Sequence, residues 1–287
     1  MPTINNAVNL IPTPPAPQRP AGLFDVALGP MAFPTAGAGG STAAIGGGII
    51  YVPDTCEDDV FVYAMNCPAV SGSKTFSGNE LPVSGAPFGV YTSYTCGSLG
   101  YSFAEIEQKV RTRMMLREQR AVERRLWQGV PAGGTGGLPG QLQSATTLTA
   151  AGCMTEALFS LEQALADNGV VGGMIHARPG LSAPLAQAHM IEKGPGRTTV
   201  TRMGTPIVFG QGYNGSGPQG QAATATTEYM YASGRVLIWG SETEVPPIDQ
   251  TMDRALNQIY TVAERIFVTI VECGSWAIQV THDCTTD

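Results

Sequence analysis

The sequence predicts a mixed α+β fold organised around one unusually long helix. Residues 102–128 contain no glycine or proline and carry apolar side chains at helical spacing. Short runs of β-branched and aromatic residues lie on both sides of this segment. Residues 1–48 form a Pro/Gly-rich block without a pattern of burial. We therefore expect helices and strands to share one body, with an extended arm in front of it.

The composition excludes several classes of protein. The 287 residues are 43% apolar and 14% charged, with a formal net charge of −7. That apolar fraction is enough for a real core, which excludes wholesale disorder, collagen and coiled coil. Lysine is scarce, with three lysines against thirteen arginines. Because protein interfaces are poor in lysine and rich in arginine, we expect much of the surface to face other copies of the chain.

The start of the chain predicts synthesis in the cytosol and no membrane partner. Residues 1–7 have no basic region and no apolar run follows them, so no secretory signal is predicted. No stretch approaches the roughly 20 apolar residues that span a bilayer. Six cysteines without C-x-x-C spacing are expected to be reduced thiols rather than a disulfide framework. They are Cys56, Cys67, Cys96, Cys153, Cys273 and Cys284.

The first 48 residues are predicted to be an arm that becomes ordered only against other parts. Residues 11–17 are polyproline-like, and residues 37–48 are mainly Gly, Ala, Ser and Thr. Such a segment cannot bury enough apolar area to fold alone. Deleting residues 2–40 is therefore expected to leave a folded core. Strands are predicted at 48–52, 60–64 and 90–95, around a polar loop at 68–88.

The long helix has clear start and stop signals. Ser102 is the expected N-cap, with Glu105 at the capping-box position, and Gly129 and Pro131 end the helix. At 1.5 Å per residue its length is about 40 Å. The predicted buried stripe comprises Phe103, Ile106, Val110, Met114, Ala121 and Trp127, with Met115, Val122 and Leu126 beside it.

The remainder of the chain alternates between helix and strand signals. A second helix is predicted after the Gly-rich linker at 133–140, with Thr155 as its cap and Asn168–Gly169 as its end. A short helix is predicted at 184–191. A helical start near 253–260 remains an alternative for the beginning of the long β-branched stretch. The predicted strands are 170–177, 205–209, 228–232, 235–239, 259–271 and 276–280.

Two short motifs match catalytic or cofactor signatures, and neither has the context that its chemistry requires. Residues 215–220 match G-x-G-x-x-G, but Pro218 lies inside the motif and a strand, not a helix, follows it, so we predict a surface loop. Ser71 and Lys74 match S-x-x-K, but they lie in a polar loop rather than at the start of a helix. His176, His189 and His282 cannot form a triad or zinc site by spacing, and His176 is expected in the core. The sequence therefore predicts no catalytic, cofactor-binding or metal site, and no enzyme.

The long helix also carries the main concentration of charge. Four glutamates interleave with its basic residues and leave a net charge of +3. One interpretation is a solvated face stabilised by ion pairs such as Glu107 with Arg111. The other is contact with neighbouring subunits or with phosphate, although +3 is too little for sequence-specific nucleic-acid binding. The basic residues are Lys109, Arg111, Arg113, Arg117, Arg120, Arg124 and Arg125.

The order of these elements resembles that of a known family. The local sequences that carry the likeness are 158–165 before 174–179, 203–213, and 257–271 ahead of the Trp276 strand. Together they resemble the major capsid proteins of tailed bacteriophages, the Hong Kong 97-type fold, and in particular those of actinobacteriophages. The resemblance spans nearly the whole chain. It implies an N-terminal arm (1–48), a peripheral domain in two parts (49–145 and 233–287) and an axial domain (146–232). Within the first part it implies an extended loop (68–88) and a spine helix (102–128).

The resemblance also implies a function. Such a chain self-assembles as hexamers and pentamers into an icosahedral shell around phage double-stranded DNA, which it contacts non-specifically. The implied partners are further copies of itself, a portal and a separate scaffolding protein, with the presence of a cement protein left open. The implied location is the virion, after synthesis in the host cytoplasm. An encapsulin-type nanocompartment shares the fold and is the first alternative, and an S-x-x-K acyltransferase is the alternative from another class.

Overall fold

The computed structural model describes residues 21–34, 48–53, 82–97, 102–130, 138–246, 252–253 and 258–281. These residues form two main β-sheets joined by a long helix. The helices are α1 (Leu23–Val26), α2 (Phe103–Gln128), α3 (Met154–Asp167) and α4 (Ser182–Gln187). The strands up to the middle of the chain are β1 (Leu28–Met31), β2 (Ile49–Tyr51), β3 (Val83–Gly85), β4 (Pro87–Gly97), β5 (Gly129–Val130), β6 (Leu138–Pro139), β7 (Thr146–Thr147) and β8 (Met174–Ala177). The later strands are β9 (Ile191–Lys193), β10 (Thr199–Thr201), β11 (Pro206–Phe209), β12 (Thr227–Ser233), β13 (Val236–Gly240), β14 (Met252–Asp253), β15 (Gln258–Val271) and β16 (Ser275–Thr281).

Helix α2 begins and ends where its sequence predicts. The Glu105 carboxylate accepts the backbone N–H of Ser102 at 2.7 Å, and the Ser102 hydroxyl accepts the N–H of Glu105 at 3.4 Å. This reciprocal capping box satisfies amide groups that the first turn of a helix leaves unpaired. At the other end Gly129 has a φ of +83°, and a Cβ there would lie 2.1 Å from the carbonyl oxygen of Leu138. Glycine is therefore required at the point where the helix stops.

The first sheet is built on the long strand β15. Strand β4 pairs antiparallel with it along eleven residues, from Gln258 opposite Gly97 to Val268 opposite Pro87. Strands β13 and β14 pair with β15 on its other side, and β1 adds to β13 in parallel. We call β4 and the paired part of β15 (258–268) the ribbon.

The second sheet has seven strands in the order β7-β16-β12-β8-β11-β10-β9. Helices α3 and α4 contribute Leu158, Leu161 and Leu185 to an apolar core that also holds Ile175 and Ile278 from this sheet. A second core lies between the sheets and the second half of α2. Its members include Leu23, Trp127, Val208, Tyr213, Tyr231, Val236, Ile238, Phe267 and Ala277.

The chain crosses between the sheets at two adjacent turns. Gly234 lies between β12 of the second sheet and β13 of the first, and its N–H donates to the carbonyl of Gly274, which lies between β15 and β16. A Cβ on Gly234 would be 2.0 Å from the carbonyl oxygen of Glu272, so this close approach requires glycine. After this crossing, strand β16 pairs with β12 and β7 in the second sheet.

Residues 21–34, which we call the N-terminal strap, belong to the folded body. Ala21 donates its N–H to Arg197 and accepts the N–H of Phe209 beside the second sheet, whereas Leu28–Met31 pairs with β13 of the first. Leu23 is fully buried. The prediction that residues 1–48 contain no buried pattern is therefore wrong here, and deleting residues 2–40 would remove part of the core. The pattern is too short to recognise, since it consists of one helical turn and one short strand.

Several smaller predictions have mixed outcomes. The strands predicted at 48–52, 90–95, 205–209, 228–232, 235–239 and 276–280 are confirmed. Helix α3 begins earlier than predicted, with Cys153 rather than Thr155 at the N-cap, and the helix predicted at 184–191 ends at Gln187. The strand predicted at 60–64 and most of the loop at 68–88 lie outside the described residues. Cys273 is disulfide-bonded, so the prediction of reduced thiols is wrong at that position.

Candidate assembly surface

The buried side of helix α2 winds around its axis. Buried positions recur every four residues, and because a turn has 3.6 residues each step rotates by about 40°. From Ile106 to Leu126 this amounts to about 200°, so the two ends of the helix bury opposite sides. The positions are Ile106, Val110, Met114, Glu118, Val122 and Leu126.

The first half of the helix packs against the ribbon through apolar contacts. Val110 and Met114 form a small cluster with Ala263 of β15, and Val90 and Tyr94 of β4 pack against it. The predicted stripe is confirmed at Ile106, Val110 and Met114 but not at Phe103, which is 57% exposed, or at its flanking Met115, which is 51% exposed. These two residues lie beyond the side that the ribbon covers.

The second half of the helix buries charged side chains. Glu118 accepts two hydrogen bonds from Nη1 of Arg265 on β15, at 2.8 and 3.0 Å. Burial raises the pKa of Glu118, and the Arg265 hydrogen bond and charge oppose that rise. The pair ties the helix to the first sheet at one defined position, since a buried carboxylate is costly unless it is paired.

Glu123 is fully buried and is held by N–H donors from three parts of the chain. Its Oε1 accepts the backbone N–H of Leu23 and Nε2 of Gln119, both at 3.0 Å. Its Oε2 accepts the N–H of Gly212 at 2.9 Å. Burial raises the pKa of Glu123, and these hydrogen bonds oppose the rise. The residue thus joins the strap, the helix and the loop after β11, a role that its sequence context did not predict.

Trp127 at the end of helix α2 contacts residues 215–220, the segment that was predicted to be a surface loop. Its indole Nε1 donates to the carbonyl of Ser216 at 2.9 Å, and its ring lies 4.5 Å from that of Tyr213 and 4.6 Å from that of Tyr231. Residues 215–218 are buried. The prediction of a surface loop is therefore wrong for these residues, which face the core because the carbonyl of Ser216 is the acceptor for a buried indole. Only its second part, residues 219–220, is exposed.

His176 and Ser233 form a pair whose distance resembles that of a catalytic dyad. Ser233 donates to the carbonyl of Gly234, so its oxygen accepts from His176 Nε2 at 2.8 Å, and Tyr213 donates to Nδ1 at 2.9 Å. His176 and Ser233 are fully buried. Burial lowers the pKa of His176 to about 3 and raises that of Tyr213 well above its ordinary value, so both remain neutral. A substrate cannot reach this pair, which confirms His176 as a core residue.

The surface of the described residues offers contact area rather than a deep site. A hollow of about 380 Å³ lies along the first half of α2 between Ala104 and Met115. On the side of the ribbon away from the helix, Tyr91 is 73% exposed, and Tyr260 and Ile266 are also exposed. Among the described residues no three His, Cys, Asp or Glu side chains come together to hold a metal ion, and no helix is long and apolar enough to cross a membrane. Ser71 and Lys74 lie outside the described residues.

Solved structures resemble this chain over almost its whole length. A chain of Microbacterium phage Oxtober96 matches with a TM-score of 0.57 and 11% identity, covering 96% of each chain. The capsid of a native GTA particle, determined with C5 symmetry, matches with a TM-score of 0.53 and 12% identity, covering 97% of this chain and 98% of that one. The chain has the Hong Kong 97-type capsid fold.

The capsid fold predicted from the order of elements is thus confirmed. Gordonia phage Cozz provides a further match with a TM-score of 0.50 and 11% identity, covering 93% of this chain and 89% of that one. No family model matches the sequence, and no curated protein matches it either. The likeness to these structures therefore concerns the arrangement of the backbone and not the amino-acid sequence. Helix α2 occupies the residues for which one long helix was predicted.

Proposed function

We propose that the chain is the major capsid protein of a tailed bacteriophage and assembles as hexamers and pentamers into a closed icosahedral shell. One observation carries the proposal: the capsid fold extends over nearly all of this chain and nearly all of the chains it matches. The likeness thus concerns the whole chain rather than a shared piece. The exposed apolar side chains on the ribbon and on helix α2 support it, since such surfaces suit contacts between subunits.

The proposal includes a structural rather than an enzymatic role, a location in the virion and synthesis in the host cytoplasm. Its partners are other copies of the chain, a portal, a separate scaffolding protein and the packaged DNA. The proposed division assigns residues 49–145 to a peripheral domain and residues 146–232 to an axial domain. Because β16 pairs with strands of the second sheet, we assign 233–271 to the peripheral part and 275–281 to the axial part.

Electron microscopy of the purified protein tests this function. We expect closed shells or rings of five and six subunits, at native salt and with a scaffold supplied where one is needed. A compact monomer under all of these conditions would overturn the proposal.

The alternatives give different results in further assays. An encapsulin-type nanocompartment would form shells that enclose a cargo protein, whereas particles from a phage-producing host are expected to contain duplex DNA and a portal. An S-x-x-K acyltransferase would be acylated at Ser71 by a reactive ester or a β-lactam. We expect no such adduct by mass spectrometry of the intact chain.

A further inference from the structure

Three arginines on the second half of helix α2 form an unneutralised row. Arg117, Arg120 and Arg124 are exposed, and none of them contacts a carboxylate within the described parts of the chain. Their spacing of three and four residues keeps them on one side of the helix, with Arg113 continuing the row toward the ribbon. From Arg117 to Arg124 the row is about 10 Å long at 1.5 Å per residue.

The glutamates that interleave with these arginines in the sequence are not on the same surface. Glu118 is turned toward Arg265, and Glu123 is enclosed by N–H donors in the core. Glu105 and Glu107 lie at the other end of the helix, about 15 Å or more from Arg117 along the axis. The exposed side of the second half of α2 therefore carries only positive charge. The net charge of +3, which is summed over the whole helix, does not show this.

The surroundings of the row favour a polyanion over a protein interface. Interfaces between proteins are enriched in arginine, but also in aromatic side chains and methionine, and their cores are depleted of charge. The two large apolar side chains of α2 that are exposed are Phe103, fourteen residues before Arg117, and Met115, which points roughly to the opposite side of the helix. A guanidinium row without exposed large apolar side chains beside it matches a phosphate backbone, because each planar fork can donate two hydrogen bonds to phosphate oxygens.

We propose that Arg117, Arg120 and Arg124 form the surface on which this chain contacts the phosphate backbone of duplex DNA, without reading its sequence. This inference rests on the proposed capsid function, since it places the outward side of the second half of α2 against the packaged genome. The net charge of −7 repels DNA from the remainder of the protein. The row is thus a local exception that positions the DNA without binding it tightly.

Binding of a mixed-sequence 30-bp duplex to the full-length chain in solution tests the inference. Affinity is measured between 50 and 200 mM salt for the wild type and for the triple variant Arg117→Gln, Arg120→Gln, Arg124→Gln. Each lost phosphate contact should reduce the slope of log K against log salt by about 0.9, so the triple variant should lose about 2.7. A triple Arg→Lys variant should retain most of the slope, because lysine still neutralises phosphate as a point charge.

A matched control removes the same charge elsewhere. Arg111, Arg197 and Arg202 are also exposed, but each is paired with a carboxylate, those of Glu107, Asp25 and Glu192. Their triple substitution to Gln should change the slope by less than half as much. Circular dichroism and unfolding midpoints establish that every variant folds.

Two outcomes would overturn the inference. One is an equal loss of slope in the row variant and the control, which would show that net charge alone matters. The other is unchanged DNA binding by the row variant together with lost assembly, which would make the row a contact between subunits. The DNA assay uses the chain in whatever oligomeric state it adopts, and microscopy of wild-type shells is a separate measurement. Failure of the capsid proposal is therefore distinguishable from failure of this inference.

Discussion

The two halves of helix α2 are held in the molecule by different chemistry. The first half packs against the ribbon mainly with aliphatic side chains, and the exposed Arg113 adds a hydrogen bond to the carbonyl of Ser93 and a contact with the Tyr94 ring. The second half is held by a carboxylate–guanidinium pair, a carboxylate among N–H donors, and an indole hydrogen bond. Such directional contacts are satisfied in one arrangement only. The comparison indicates that the second half of the helix is fixed at defined points, one of which, the Glu118–Arg265 pair, also ties it to the ribbon.

The largest effect is expected from removing the side chain that anchors the fixed half. Trp127→Ala should lower the free energy of unfolding by about 3–5 kcal/mol, since it leaves a cavity beside Tyr213 and Tyr231. Trp127→Phe should cost less, because Ser216 keeps the hydrogen bond from Tyr231. Denaturant unfolding measures both, and a loss below about 1 kcal/mol for the alanine variant would contradict the assignment.

The apolar half should respond less strongly to the same kind of truncation. Ile106→Ala removes a fully buried side chain, and large-to-small changes of this kind cost about 2–5 kcal/mol. We expect the lower end, because Ile106 lies near the start of the helix, where the exposed residues 102–105 can relax toward the cavity. Arg117→Ala is the control and should change stability by less than about 0.5 kcal/mol. If Ile106→Ala were silent and the arginine change costly, the helix would face the other way.

Replacing the carboxylate at the junction of strap, helix and loop should cost about 1–3 kcal/mol. In Glu123→Gln one of the two oxygens becomes an amide nitrogen, which cannot accept the N–H of Leu23 or Gly212. Hydrogen exchange at these two amides should accelerate in the variant, whereas exchange on the ribbon should not change. Uniform acceleration throughout the molecule would show that Glu123 does not act locally.

Lowering the pH should reduce the stability of the protein through a buried histidine that lies near the second half of α2. His176 has a folded pKa of about 3 and an ordinary value of 6.5, so the unfolded chain binds a proton in this window that the folded chain does not. Its contribution to stability is present above pH 6.5 and falls by about 1.4 kcal/mol per unit as the pH drops toward 3.

The measurement is the pH dependence of unfolding for the wild type and His176→Gln. Glu118 and Glu123 contribute the opposite slope, because burial raises their folded pKa values and the folded state gains protons first as the pH falls. The difference between the two proteins therefore isolates His176. Identical pH profiles would contradict the buried, neutral assignment.

The features that local sequence determines were the ones that could be predicted. Ser102, Glu105 and Gly129 define the limits of α2 because caps depend on neighbouring residues alone. The strap could not be predicted, since the partner of Leu28 is Leu237, more than 200 residues away. The buried roles of Glu118 and Glu123 were missed because charged residues are rarely enclosed, and the pattern of their sequence gives no sign of the partners.

The arginine row illustrates the same limit at the candidate site. The sequence showed seven basic residues and four acidic ones on a single helix and left two interpretations open. The charges that reach the surface are determined by which side of the helix is buried. That side changes along the helix, because the helix contacts two different sheets. The net charge of such a helix is therefore a poor guide to the electrostatic field at its exposed surface.

The pairing of β4 with β15 also has a consequence for the time course of translation. When Gly97 has been added to the nascent chain, the first residue that will pair with it, Gln258, is still about 160 residues away. At a translation rate of 5–20 residues per second, the backbone groups on both edges of β4 remain without strand partners for about 10 to 30 s. An unpaired strand of eleven residues would be a template for aggregation, and its Pro87 and Gly89 are residues that weaken such pairing. Helix α2, which needs only local contacts, can form during this interval and offer the waiting strand its apolar side.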